Sequence, residues 1–161
     1  TQKSITNIIM SAHKTIFVSG IDTDAGKSYC TAWLARRFMD QGLSVATQKF
    51  VQTGNVGRSE DIELHRRLTG TGPLPIDYVA SRNLPLALVT NGVLGSINHT
   101  ILSLEAIERR GLKLDYLLYN TYSDRDTVIA DDTRGFIARY LMRHFPEAEM
   151  LEVPTMTAES L

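Results

Sequence analysis

Short apolar runs alternate with amphipathic stretches along the 161 residues. Residues 15–19, Thr-Ile-Phe-Val-Ser, are β-branched and aromatic and predict a buried strand. Residues 27–41 set Cys30, Trp33, Leu34, Ala35 and Phe38 at helical spacing, and Gly42 supplies a stop. Residues 45–51 predict a second strand. Ser59 is a good N-cap, Glu60, Asp61 and Glu63 follow it in the first turn, and this helix should run to about Leu68. Residues 69–75, Thr-Gly-Thr-Gly-Pro-Leu-Pro, are turn chemistry. Residues 86–90 predict another buried strand and 91–95 a loop. Ser96 is expected to cap a helix that runs to about Arg110 and ends at Gly111. Residues 114–120 predict a strand with Tyr116 to Tyr119 at its centre. Residues 131–145 predict a helix with Phe136, Ile137, Tyr140 and Leu141 on one face, and 150–153 a last strand before Pro154.

Strands that alternate with helices imply an α/β domain with a mostly parallel sheet and helices on both faces. At this length the whole of 1–161 is expected to form one domain. Ligands of such sheets bind at the carboxyl ends of the strands, so the residues just after each strand carry most information.

Composition narrows the picture by exclusion. The 43% hydrophobic and 22% charged fractions are those of an ordinary globular chain. The net charge of −1 gives no global field for nucleic acid or anionic lipid, so neither is an expected partner. Cys30 is the one cysteine, which excludes an intramolecular disulfide, and it reads as a small buried hydrophobe. No apolar run approaches the roughly 18 residues of a membrane span, and 1–14 lacks the apolar stretch of a secretory signal. A cytoplasmic location is the expectation.

The first strand runs into Gly20-Ile21-Asp22-Thr23-Asp24-Ala25-Gly26-Lys27-Ser28 and then into a helix. Strand, glycine-bearing loop, Gly-Lys-Ser and helix in this order are the context of a P-loop. Backbone N–H groups of such a loop converge on phosphate oxygens, the lysine reaches the β and γ phosphates, and the hydroxyl holds Mg²⁺. Five residues separate Gly20 from Gly26, one more than the general pattern, and Ile21 stands at the usual first glycine. Asp22 and Asp24 are unusual in an anion loop. They read equally well as turn formers facing solvent and as neighbours of a metal or cationic substrate group.

Residues 17–28, Phe-Val-Ser-Gly-Ile-Asp-Thr-Asp-Ala-Gly-Lys-Ser, resemble the modified P-loop of dethiobiotin synthetases, F-V-T-G-T-D-T-x-V-G-K-T, where the longer spacing is normal. Residues 48–54, Gln-Lys-Phe-Val-Gln-Thr-Gly, are similar to that family's Y-K-P-V-x-S-G. Gly95-Ser96-Ile97-Asn98-His99-Thr100, with Leu102, Leu104, Glu105 and Ala106, is similar to G-T-I-N-H-T-L-L-T-L-E-A. Three motifs in order, across about residues 15–154, are far more specific than the P-loop alone.

The resemblance implies a P-loop NTPase-like fold and a ligase of biotin biosynthesis. Such an enzyme closes the ureido ring of dethiobiotin from 7,8-diaminopelargonate and CO₂ or bicarbonate, with ATP and Mg²⁺ as cofactors. By resemblance, Lys49 and Lys27 are the catalytic residues. Asp24, Ala25, Gly26, Lys27, Ser28 and Tyr29 hold the phosphates, with Ser28 and Asp61 as metal ligands. Glu60 competes with Asp61 for that role. Asn120 and Thr121 match residues at the nucleotide, Asn120 as reader of adenine, and Pro154, Thr155 and Met156 match a loop at the base. Thr23 and Thr53 match substrate contacts. Gly95, Ile97 and Asn98 match a loop that takes the substrate carboxylate from the other subunit of a homodimer. His99 reads as a packing residue.

One family feature has no match. The segment that normally precedes the Leu86 strand, with a further strand and an E-G-A-G-G loop bearing a metal-binding glutamate, is missing near residues 75–76. A parallel sheet lacking that strand is expected to show a gap. Two accounts fit: a segment of the protein outside these 161 residues, or a deletion that would leave a weak or degenerate nucleotide binder. A switch-type P-loop ATPase acting through protein partners is the other alternative. Lys49 and residues 95–98 speak against it, since a plain switch needs neither.

Overall fold

The structure, a computed structural model, describes residues 14–47, 75–124 and 126–155. Four strands form one sheet: β1 (Phe17–Gly20), β2 (Leu86–Asn91), β3 (Leu114–Asn120) and β4 (Glu149–Val153). They pair in the order β1-β2-β3-β4, every pair parallel. Helices α1 (Lys27–Asp40), α2 (Pro75–Arg82), α3 (Ser96–Arg109) and α4 (Thr127–His144) lie between or before them, with a short 3₁₀ turn at Thr121–Ser123.

The alternation of side chains along β2 explains the layers. Leu86 and Leu88 join Val79 of α2, Leu104 and Ile107 of α3, and Ile137 and Leu141 of α4 in one core. Ala87 and Val89 point the other way, against Cys30 and Leu34 of α1. Helices therefore cover both faces, and β2 is buried at all six positions. This is why its first four residues, Leu86 to Val89, read as a continuous apolar run rather than an alternating one. The expected P-loop α/β architecture is what the chain adopts.

The helix stops fall where the glycines predicted them. At both ends the residue after the glycine reaches back five residues: Leu43 N–H donates to the Phe38 carbonyl and Leu112 N–H to the Ile107 carbonyl. These bonds satisfy carbonyls that a helix end leaves open.

Three expectations are corrected. Helix α4 begins at Thr127, not Asp131, because Asp126 caps it: its carboxylate accepts from the N–H groups of Val128 and Ile129 at 3.0 and 3.2 Å. Ser96 does not cap α3. Gly95 occupies the cap position and Ser96 is the first helical residue, buried. The expected gap in the sheet does not fall among the described strands, since β1 pairs directly with β2 from Phe17↔Leu86 to Gly20↔Val89. Of the strand expected at 45–51, the described part, 45–47, is not extended into the sheet; its remainder and the helix expected at 59–68 lie outside the described residues.

Candidate active site

All four strands run the same way, so their carboxyl ends share one edge. The register places Gly20 beside Val89, Asn91 beside Asn120, and Asn120 beside Val153. The loops 20–28, 91–96, 121–124 and 154–155 therefore gather at that edge.

The phosphate loop is tied down at its start, where Ile21 N–H donates to the Val89 carbonyl at 3.0 Å. Thr23 N–H donates to the Asp22 carboxylate at 2.5 Å, so the Asp22 side chain is turned onto its own loop, and both Asp22 and Asp24 are exposed. Ala25 is fully buried. Gly26 caps α1 with φ of +91°, a conformation that costs a side-chain-bearing residue about 1–2 kcal/mol. The Lys27 ammonium turns back over the loop and donates to the carbonyls of Asp22 at 2.6 Å and Thr23 at 3.3 Å. Its stem passes Gly20 so closely that a Cβ there would lie 2.8 Å from Lys27 Cγ. Phosphate oxygens would offer this ammonium charged acceptors in place of neutral carbonyls, a stronger bond. Ser28, in the first turn of α1, and Thr23, in the loop, are both exposed.

Two side-chain bonds tie this loop and its helix to the neighbouring strand ends, and a third joins the ends of β3 and β4 to each other. Asn120 donates from Nδ2 to the Ala25 carbonyl at 3.1 Å. Tyr29 donates from its hydroxyl to the Pro154 carbonyl at 2.5 Å. Thr121 donates to the Val153 carbonyl at 3.1 Å. Pro154 and Thr155 are exposed next to them. The nucleotide-side residues expected from the sequence are thus brought together, apart from Met156, which lies outside the described residues.

The loop after β2 leads into α3. The Asn91 carboxamide accepts from Val93 N–H at 3.2 Å, and Ser96 N–H donates to the Val93 carbonyl at 2.9 Å. Gly95 has φ of +90°. Ile97 is half-buried and Asn98 exposed in the first turn, while the buried Ser96 hydroxyl has no partner among the described residues. Thr100 donates to the Ser96 carbonyl at 2.6 Å and shares a buried bond of 2.7 Å with Thr90, which fastens the helix start to β2.

A junction that the sequence did not reveal joins this loop to the end of β3. Tyr119 is fully buried and donates from its hydroxyl to Asp124 Oδ1 at 3.2 Å. The Arg134 guanidinium lies 5.4 Å from the Tyr119 ring centre and pairs with Glu152 at 2.8 Å and with Asp131. Gly92 packs onto Tyr119 and Asp124 so tightly that no side chain fits. Burial pushes the Tyr119 hydroxyl well above its ordinary range, with Asp124 adding to it. Burial also raises Asp124, by more than the Tyr119 hydrogen bond and the Arg134 charge lower it, and the Glu152 and Asp131 charges add smaller increments. Local composition held no signal for this group, because its members are 27 and more positions apart from Gly92.

Lys49, Thr53 and Asp61 lie outside the described residues, so the described part of the site comprises the loop 20–28, the ends of β3 and β4, and the start of α3. Among the described residues no helix is long and apolar enough to cross a membrane.

The fold and this loop define a P-loop α/β protein. No family model matches the chain. The chain is 34% identical to the ATP-dependent dethiobiotin synthetase of Haemophilus ducreyi over 204 aligned positions, covering 86% of this chain and 97% of that protein. It is 31% identical to the Pasteurella multocida enzyme of the same name, over 83% of this chain and 93% of that one. It is 33% identical to the Chlorobaculum tepidum one, over 86% of each. The chain belongs to the ATP-dependent dethiobiotin synthetase family, whose members are ligases of biotin biosynthesis. An alignment of 204 positions exceeds the 161 residues here, so the Haemophilus ducreyi protein carries residues without counterpart in this chain.

Proposed function

We propose that this chain closes the ureido ring of dethiobiotin from 7,8-diaminopelargonate, CO₂ and ATP. One substrate amine adds to CO₂, loses a proton and becomes a carbamate. The carbamate oxygen attacks the γ-phosphorus and ADP leaves. The second amine attacks the carbonyl carbon of the carbamic-phosphoric anhydride, phosphate leaves, and the ring closes.

The observation that carries this reading is the shared edge: the phosphate loop and the N-terminus of α3 open on the same side of the sheet. A γ-phosphate and a carboxylate-bearing diamine need anchors of these two kinds near one another. Chemistry of this sort is mostly positioning and charge stabilisation. Lys27 already sits over the loop and would move from carbonyls to phosphate. Lys49 would offset charge on the carbamate and γ-phosphate. The Ser28 hydroxyl, exposed in the first turn of α1, is a hard oxygen donor of the kind Mg²⁺ takes, and with Asp61 it would hold that ion. Bound there, Mg²⁺ would neutralise phosphate charge. Asp24, Ala25, Gly26 and Tyr29 would line the phosphates, Asn120, Thr121, Pro154, Thr155 and Met156 the base, and Thr23 and Thr53 the diamine. Gly95, Ile97 and Asn98 would receive the substrate carboxylate of a partner subunit in a homodimer.

The test is phosphate release from ATP with Mg²⁺ and bicarbonate, with and without diaminopelargonate. Release that requires the diamine supports the ligase. Release that ignores it points to a switch ATPase, and binding without release to a degenerate enzyme. Lys49→Ala should abolish ring closure with the circular dichroism unchanged; retained turnover would remove Lys49 from the mechanism.

A further inference from the structure

At Ala25 the loop's own bond is a long one, Ala25 N–H to the Asp22 carbonyl at 3.4 Å, and at Gly26 the chain changes from turn to helix with a left-handed residue. A shorter tie comes from 95 residues away. Asn120, 4% exposed at the end of β3, donates from Nδ2 to the Ala25 carbonyl at 3.1 Å. The other end of the same carboxamide is also engaged, since Oδ1 accepts from Tyr122 N–H at 3.2 Å. The side chain is thus clamped at both ends by protein. It is also in direct contact with the loop: a Cβ on Gly26 would lie closer than 3.0 Å to Asn120 Nδ2.

A trans peptide points its C=O and its N–H to opposite edges of one plane. The carbonyl of the Ala25–Gly26 peptide is directed at buried Asn120, so the Gly26 N–H faces the other way. Among the described residues that N–H has no backbone acceptor, while the Gly26 carbonyl already accepts the first helical bond from Cys30 at 2.9 Å.

We propose that Asn120 is a positioning residue of the phosphate loop: by holding the Ala25 carbonyl inward it keeps the Gly26 N–H turned out toward an anion. This rests on the reading of 20–28 as a triphosphate site. It differs from reading adenine, because its effect is independent of the base. It also accounts for an asparagine here, since this position must donate to one carbonyl and accept from one N–H at once.

The experiment uses inorganic tripolyphosphate with Mg²⁺, a ligand without a base, and ATP in parallel, on the full chain with selectively ¹⁵N-labelled glycine. In the wild type, tripolyphosphate should bind and shift the Gly26 amide downfield as its N–H engages the anion. Asn120→Ala and Asn120→Asp should weaken tripolyphosphate and ATP by a similar factor, about tenfold for one lost orienting bond. The Gly26 response should be lost while circular dichroism is unchanged. If Asn120→Asp does not fold, the neutral Asn120→Ala carries the comparison. Tripolyphosphate affinity within twofold of wild type, with a full Gly26 response and only ATP weakened, would overturn the proposal and leave a base contact. A wild type that ignores tripolyphosphate would overturn the triphosphate reading itself, and the proposal with it.

Discussion

Gly92→Ala measures how rigidly the loop that precedes α3 is held. A Cβ at this position would lie closer than 3.0 Å to both Asp124 Oδ1 and the Tyr119 hydroxyl oxygen. Comfortable non-bonded separation is about 3.5 Å or more, so each contact overlaps by at least about 0.5 Å. Neither partner is a loose side-chain end. Tyr119 is fully buried beneath the Arg134 guanidinium, and Asp124 accepts its hydroxyl. Overpacking a well-filled site costs about 1–3 kcal/mol, and two simultaneous overlaps against fixed partners put Gly92→Ala in the upper half of that range. Urea unfolding followed by Trp33, the single tryptophan, reads the loss as a lower midpoint with unchanged slope. In thermal unfolding it corresponds to a drop of about 4–12 °C for a chain of this size. Tyr119→Phe alone loses a hydrogen bond worth about 1 kcal/mol. In Gly92→Ala/Tyr119→Phe one of the two clashing atoms is gone, so the pair should be less destabilising than the sum by about 0.5 kcal/mol or more. A Gly92→Ala midpoint equal to wild type, or strictly additive losses, would refute the account of this junction.

Asp124→Asn should raise Tm at pH 7, because the fold raises the Asp124 pKa. The ionised form is therefore the one the fold disfavours, and the wild type loses stability as pH rises through the folded value. The advantage of the amide, measured by thermal unfolding across pH, should vanish below about pH 4, the ordinary aspartate range. Asp115 should behave oppositely. Burial alone would raise it, but ion pairs with Lys14 and Lys113 hold it below the usual carboxylate range. Its contribution is present above about pH 4 and lost as pH falls through the folded value, so the stability gap between wild type and Asp115→Asn should close in acid. Cys30 is fully buried, and burial pushes its thiol up to about 12. Iodoacetamide at pH 8 should leave the native protein unmodified and label it once urea unfolds it; rapid native labelling would contradict the buried position. Leu104→Ala removes a fully buried side chain from the core shared by α2, α3 and α4 and should cost about 2–5 kcal/mol in urea unfolding.

The layered α/β plan was legible before any coordinates, because each of its cues is local. The continuous apolar run Leu86 to Val89 of β2 says that both its faces are covered, the stops at Gly42 and Gly111 close their helices, and Gly26-Lys27-Ser28 after a strand marks the phosphate loop. The start of α4 was also written locally, in the Asp126 cap, but the β-branched residues 127–129 concealed it. Ser96 shows the converse: a good capping residue lost the cap to Gly95, whose positive φ lets the chain enter α3 from the loop and bury Ser96. Strand order, and with it the direct pairing of β1 with β2, had no local cue, since hydrogen-bond partners across a sheet are chosen by packing of both faces together. The same holds at the site. The phosphate loop was legible as a motif, but the tie from Asn120 to Ala25, the bond from Tyr29 to Pro154 and the seat of Gly92 on Tyr119 and Asp124 join residues that meet only at the carboxyl edge of the folded sheet. Periodicity records which residues are buried; what they are buried against is set by contacts between distant segments.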